Sequence, residues 1–169
     1  MRKTSSIASA VLIASMLTAC GSPDISGKGT VGKDIVPIAA DLLPPELLGL
    51  SVQAEDISGT IASEQQTYVD ATTLYSLRSE DLLQATLQVS RFNSDADGDS
   101  AKFRNSLLNQ IGGSRPRSVR LGKDNVFLTS GTKQQLATWF RGEYFLILAT
   151  REDYPMPKSL LRRALEIQP

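Results

Sequence analysis

Asn93, Asp95 and Asp97, followed by Gly98, are spaced like the first half of a calcium loop. Such a loop supplies oxygens from positions 1, 3, 5 and 9, turns on a Gly at position 6 and closes with a bidentate Glu at position 12. With Gly98 at position 6, Ala101 falls at 9 and Arg104 at 12. A cation then stands where the closing carboxylate belongs, and the preceding Leu83–Phe92 stretch reads as a strand where the motif needs a helix. The same residues suit the start of a helix. Asp99 or Ser100 serves as N-cap, Asp95, Asp97 and Asp99 sit at the positive end of the helix dipole, and Asp97-Gly98 is ordinary turn chemistry. The helix start is the expected reading, and no metal is expected.

Other chemistry is scarce. The chain has no histidine and one cysteine, Cys20, which excludes His-based triads, Cys/His zinc clusters and an internal disulfide. Glu80-Asp81 and Glu152-Asp153 are adjacent carboxylates in predicted turns, where neighbouring side chains point apart. Ser130 and Lys133 flank a hairpin turn without the G-x-S-x-G pattern of a nucleophile elbow. Trp139, Phe140, Tyr144 and Phe145 flank the last hairpin and read as sheet core. The chain is therefore expected to be no enzyme and to carry no cofactor.

The N-terminus is more specific. Arg2 and Lys3 precede an apolar run, Ile7 to Leu17, too short for a transmembrane helix but suited to a secretory h-region. It ends in Leu17-Thr18-Ala19-Cys20 and then Gly21-Ser22. This resembles the lipobox of bacterial lipoproteins. The resemblance implies cleavage between Ala19 and Cys20, a diacylglyceryl group on the Cys20 thiol and acylation (palmitate, for example) of the new amino terminus. Two or three acyl chains suffice for stable anchoring. The expected location is the cell membrane, lipid-anchored, with the protein on the extracytoplasmic side.

Three segments follow: a signal peptide over 1–19, a lipidated cysteine and flexible tether over 20–37, and one domain over 38–169. The tether is rich in Gly, Ser and Pro and reaches about 20–25 Å as a coil; the alternative for its last residues is docking as an edge strand. In the domain, a short strand is predicted near Leu47 to Gln53. A strand pair follows, Val69 to Leu77 with Val69, Ala71, Thr73, Tyr75 and Leu77 on one face, and Leu83 to Val89 with a period of two. A helix runs from Ser100 to Gly113 on Phe103, Leu107, Leu108 and Ile111. Three or four strands with turns near Gly122, Gly131 and Gly142 come next, then a terminal helix from Pro157 burying Leu160, Leu161, Ala164 and Leu165. The fold class is α+β, an antiparallel sheet of about six to seven strands with two helices packed on it, on one face. This element order resembles the PsbP extrinsic photosystem subunits and small envelope lipoproteins of actinobacterial type, a likeness of architecture that carries no function.

Charge is balanced in sum and lopsided along the chain. Without Arg2 and Lys3, 16 basic residues face 18 acidic ones. From Cys20 to Asp99 there are 4 basic and 13 acidic residues, and from Ser100 to Pro169 there are 12 and 5. Either neighbouring strands compensate one another, or Arg115, Arg117, Arg120 and Lys123 form a basic surface for an anionic partner. Nucleic acid is not expected, since no aromatics interleave these cations. The functional expectation is a membrane-anchored, non-enzymatic binding or accessory module, holding an envelope protein or an anionic polymer. The alternative is a carrier of a small apolar or lipid ligand in a cavity lined by residues such as Leu87, Phe103 and Trp139.

Overall fold

A computed structural model describes residues 35–55, 57, 68–112, 116–130, 134–151 and 153–169. The leader, Cys20 and most of the tether lie outside them. Within them runs one antiparallel sheet of eight strands: β1 (Glu46–Leu47), β2 (Leu50–Glu55), β3 (Val69–Ser79), β4 (Leu82–Phe92), β5 (Arg117–Leu121), β6 (Asp124–Ser130), β7 (Gln134–Arg141) and β8 (Tyr144–Arg151). Helix α1 (Ala101–Gly112) joins β4 to β5, and α2 (Lys158–Ala164) follows β8. The sheet order is β1-β2-β3-β4-β8-β7-β6-β5, so each half of the chain is an up-and-down meander and the two meet where β4 pairs with β8.

The α+β class and the two helices follow the sequence expectation, and the strand count exceeds it by a hairpin. The stretch read as one strand from Leu47 is two, folded at Leu48-Gly49, both with positive φ (54° and 78°). A branched apolar side chain at such a φ is unusual, which is why the pattern did not announce the turn. Tight turns at Gly122 and Gly142 place glycine at the positive-φ position (62° and 54°), as two-residue hairpins prefer.

The helices pack on opposite faces, where one shared face was expected. Leu160, Leu161, Ala164 and Leu165 of the α2 region join a cluster with Tyr75, Leu87, Trp139, Leu146 and Leu148. Leu107 and Ile111 of α1 join Phe92, Phe145, Ile147 and Ala149. Consecutive residues of β8 thus serve two cores, because side chains alternate across a strand. The same two-sided cover buries β4, expected to be half exposed: Thr86, Gln88 and Ser90 are at most 4 % exposed. They are kept among hydrogen-bonding neighbours, with Gln88 Nε2 donating to Ser90 Oγ at 3.0 Å and the Thr72 and Ser90 hydroxyls 2.8 Å apart. A bulge at Asp70 also moves Val69 away from the face of Tyr75 and Leu77 and into the α1 cluster.

The chain docks on the sheet before the expected domain start. β2 pairs only with Leu74–Arg78, leaving the first residues of β3 an open edge. Val36 fills it in a parallel bridge to Ala71, its N–H donating to Asp70 O and its carbonyl accepting from Thr72. Thr73 Oγ1 donates to Ile38 O at 2.9 Å, and Tyr75 Oη to Ala39 O at 2.6 Å. The last tether residues are therefore part of the fold.

Two predictions follow from these attachments. Burial, helped by Asp41, pushes the Tyr75 phenol up to about 12, against about 10 in an unfolded chain. The folded state keeps this proton longer, so its contribution is full below pH 10 and is lost between pH 10 and 12. Urea unfolding across that window is expected to show a loss of roughly 2–3 kcal/mol that Tyr75→Phe abolishes. At the opposite side of the domain, Arg141 holds Asp124 through Nη2–Oδ2 at 2.9 Å, both side chains about one-tenth exposed, and donates to the carbonyls of Leu165 and Ile167 beyond α2. Arg141→Ala strands a buried carboxylate and releases that end of the chain, so thermal and urea unfolding should register a loss of about 3–5 kcal/mol.

Candidate functional site

Two places carry the residues singled out in the sequence: the acidic loop after β4, and the outer strand β5.

The acidic loop is built around an arginine. Asn93 Oδ1 accepts from the backbone N–H groups of Asp95 and Ala96 at 3.1 and 2.9 Å, a local turn that uses the oxygen a cation would need. Ser100 caps α1, its Oγ accepting from Phe103 N at 3.4 Å. Arg104 then turns back over the loop. Its Nε donates to Gly98 O at 2.5 Å, its Nη2 meets Asp99 Oδ1 at 2.9 Å, and its guanidinium lies 5.0 Å from the centre of the Phe140 ring. The positive charge at the heart of this loop comes from the protein itself. Among the described residues, no three Asp, Glu, Cys or His side chains gather as a metal shell would require.

Gly98 answers to packing. A Cβ there would lie 2.7 Å from Phe92 Cδ2. The Phe92 ring is fixed by Phe103 edge-on at 5.4 Å and by Phe145 stacked at 5.0 Å. The sequence could not reveal this approach, because the ring and the loop meet only once α1 has closed onto the sheet. Gly98→Ala is expected to cost about 1–3 kcal/mol through overpacking, read as a lower midpoint in chemical unfolding; calcium should not restore it.

Beside the loop lies an open cleft of about 430 Å³ lined by Asp70, Arg91, Phe92, Asn93, Asp99 and Glu143 among others. Arg91 Nε and Asp70 Oδ1 pair across it at 2.8 Å, each about a third exposed. That hydrogen bond is the main reason the Arg91 guanidinium is raised above its ordinary value. Two of the three carboxylates here thus already hold an arginine, Asp70 with Arg91 and Asp99 with Arg104. The cleft opens where Val36 meets Asp70, at the point where the chain enters the domain.

The basic residues are arranged along an edge. Arg117, Arg120 and Lys123 are exposed; Arg115 lies outside the described residues. At about 3.3 Å per residue, Arg117 and Arg120 stand roughly 10 Å apart along β5, and Lys123 lies in the turn that ends it. Arg117 and Arg120 project to opposite faces of the sheet, since their separation is odd. None of the three takes part in an ion pair among the described residues. Compensation between the halves of the chain is also limited. Across the seam β4 pairs with β8 through uncharged partners such as Leu87 and Leu148, and Val89 and Leu146; the one charged residue in that register, Arg91, stands opposite Tyr144 and pairs with Asp70 of its own half. The only ion pair among the described residues that joins the acidic stretch to the basic one is Asp99–Arg104.

The other sequence candidates do not converge. Leu87 and Trp139 are buried in the α2-side cluster, while Phe103 packs in the α1-side cluster, so these three cannot line one cavity. Glu80 and Asp81 occupy the exposed β3–β4 turn, and Asp153 pairs with Arg151 at 2.5 Å. Glu152, Lys133, Ala19 and Cys20 lie outside the described residues. Comparisons with family models, with curated proteins and with solved structures return no match.

Proposed function

We propose that this chain is a membrane-anchored extracytoplasmic lipoprotein, held by acyl chains on Cys20, whose domain is a non-enzymatic binding module for an anionic partner such as an envelope protein or polymer. The observation that carries the binding reading is the separation of charge. The sheet order keeps the acidic meander on one side and the basic one on the other, and the β4–β8 seam, where Arg91 is the one charged member, sets no acidic residue of the first against a basic residue of the second. The basic side ends in a strand and its turn, whose three exposed cations, Arg117, Arg120 and Lys123, no carboxylate among the described residues neutralises. The anchoring reading rests on Leu17-Thr18-Ala19-Cys20 behind a short apolar run.

Anchoring is tested in a bacterial host fed an alkyne analogue of palmitate. The unaltered chain should take up label and partition with membranes after loss of the leader. Cys20→Ser should take up none and accumulate as the uncleaved precursor. Normal cleavage and membrane retention of the substituted chain would rule out lipidation at this residue.

A further inference from the structure

We infer that the outer edge of β5 is a strand-addition site for an extended acidic segment of a partner protein. This rests on the binding-module reading above and gives the partner of that module a definite chemistry.

The backbone supplies the first half of the argument. Leu121 and Asp124 flank the two-residue turn Gly122-Lys123 and close the hairpin, which makes them a hydrogen-bonded pair. Along an antiparallel ladder such pairs alternate with pairs whose N–H and C=O groups point away. Val119 therefore bonds inward to Val126, while Ser118 and Arg120 turn both backbone groups outward. β5 is the last strand of the sheet, and Ser118 and Arg120 are exposed. The opposite edge, β1, is only two residues long, and the open part of β3 is covered by Val36. Past β1, Gln53–Glu55 of β2 is a short open stretch, so among the described residues β5 is the longest free edge to template another strand.

Charge selects the occupant. Pairing β5 with a second copy of itself would crowd Arg117, Arg120 and Lys123 of both copies along one junction with no carboxylate between them, and like charges brought together in this way are unfavourable. A planar anionic lipid surface meets one face of a strand, whereas Arg117 and Arg120 project to both. Its phosphate oxygens could accept from the outward N–H groups, but it holds no fixed alternation of donor and acceptor that meets the outward N–H and C=O groups together. An acidic polypeptide lying edge-on satisfies the backbone groups of Ser118 and Arg120 and flanks the cations on both faces, the mode in which ladder bonds give affinity and alternate side chains give selectivity.

The test uses the full chain, isotope-labelled and held in detergent micelles, with three probes: a Glu-Glu-Val repeat peptide, whose carboxylates fall on both faces of an extended strand, the same peptide N-methylated at alternate amides, and inorganic polyphosphate. The unmethylated peptide should shift the amide resonances of Ser118 and Arg120 and slow their hydrogen exchange at least tenfold. N-methylation should weaken binding at least tenfold, and so should Arg117→Glu with Arg120→Glu. Ser118→Pro removes one outward N–H that an edge strand can spare and should weaken the peptide while leaving polyphosphate unaffected; the methylated peptide on the unaltered chain decides the matter should that variant misfold. Equal binding of all three probes without protection of the two amides would overturn strand addition and leave a simple anion patch. Binding of none would overturn the module reading as well.

Discussion

The seam between β4 and β8 holds the two halves of the chain together, and it does so on both faces at once. Leu87 lies opposite Leu148 and Val89 opposite Leu146 on the side that α2 covers, while Ser90 lies opposite Phe145 on the side that α1 covers. A strand buried on both sides must be apolar almost throughout, and β8, with Phe145 to Thr150 all buried, is the chain's closest approach to that. Without it the meanders would be two open sheets of four strands, each with one helix and one uncovered face.

β4 meets the same constraint with a mixed sequence. Its α1-side residues include Thr86, Gln88 and Ser90, of which Gln88 donates to Ser90 and Ser90 shares a hydrogen bond with Thr72. Burying such groups is tolerable only when they find partners. The aromatic residues complete that face: Phe92, Phe103, Phe140 and Phe145 pack ring against ring, and Arg104 lies over Phe140. The acidic loop is shaped from below by this cluster, and its internal cation is one of the residues that tie it there.

Segregation of charge follows from topology. A sheet that interleaved strands of the two halves would have set acidic beside basic residues. The order found here joins them at a seam whose one charged member is Arg91, so among the described residues β1–β4 with their turns (five acidic, two basic) stand on one side and β5–β8 with theirs (two acidic, five basic) on the other. Where cations are neutralised, the partner is mostly near in sequence or within the same meander, as with Arg91 and Asp70, Arg141 and Asp124, and Arg163 and Glu166. Among the described residues, the cations of β5 and its turn pair with no carboxylate of the acidic half.

The sequence alone was enough to place the repeating elements, because local rules govern them. Period-two alternation marked β3 and β4, the 3.6-residue spacing of Phe103, Leu107 and Ile111 marked α1, and Pro157 with Leu160, Leu161, Ala164 and Leu165 marked α2. Arg104 at the twelfth position already spoke against a calcium loop. Tertiary structure decided everything that depends on which surfaces meet. Periodicity says that a helix has an apolar face but not which side of a sheet receives it, so α1 and α2 parted to opposite faces. The hairpin at Leu48-Gly49 and the bulge at Asp70 are single-residue departures that leave hydrophobic periodicity almost unchanged, yet they add a strand and turn Val69 around. Gly98 reads as turn chemistry until Phe92 lies against it. Arg117, Arg120 and Lys123 read as a patch until strand geometry spreads them along an edge, because proximity in sequence sets neither the face nor the neighbours of a side chain; only the packed sheet does.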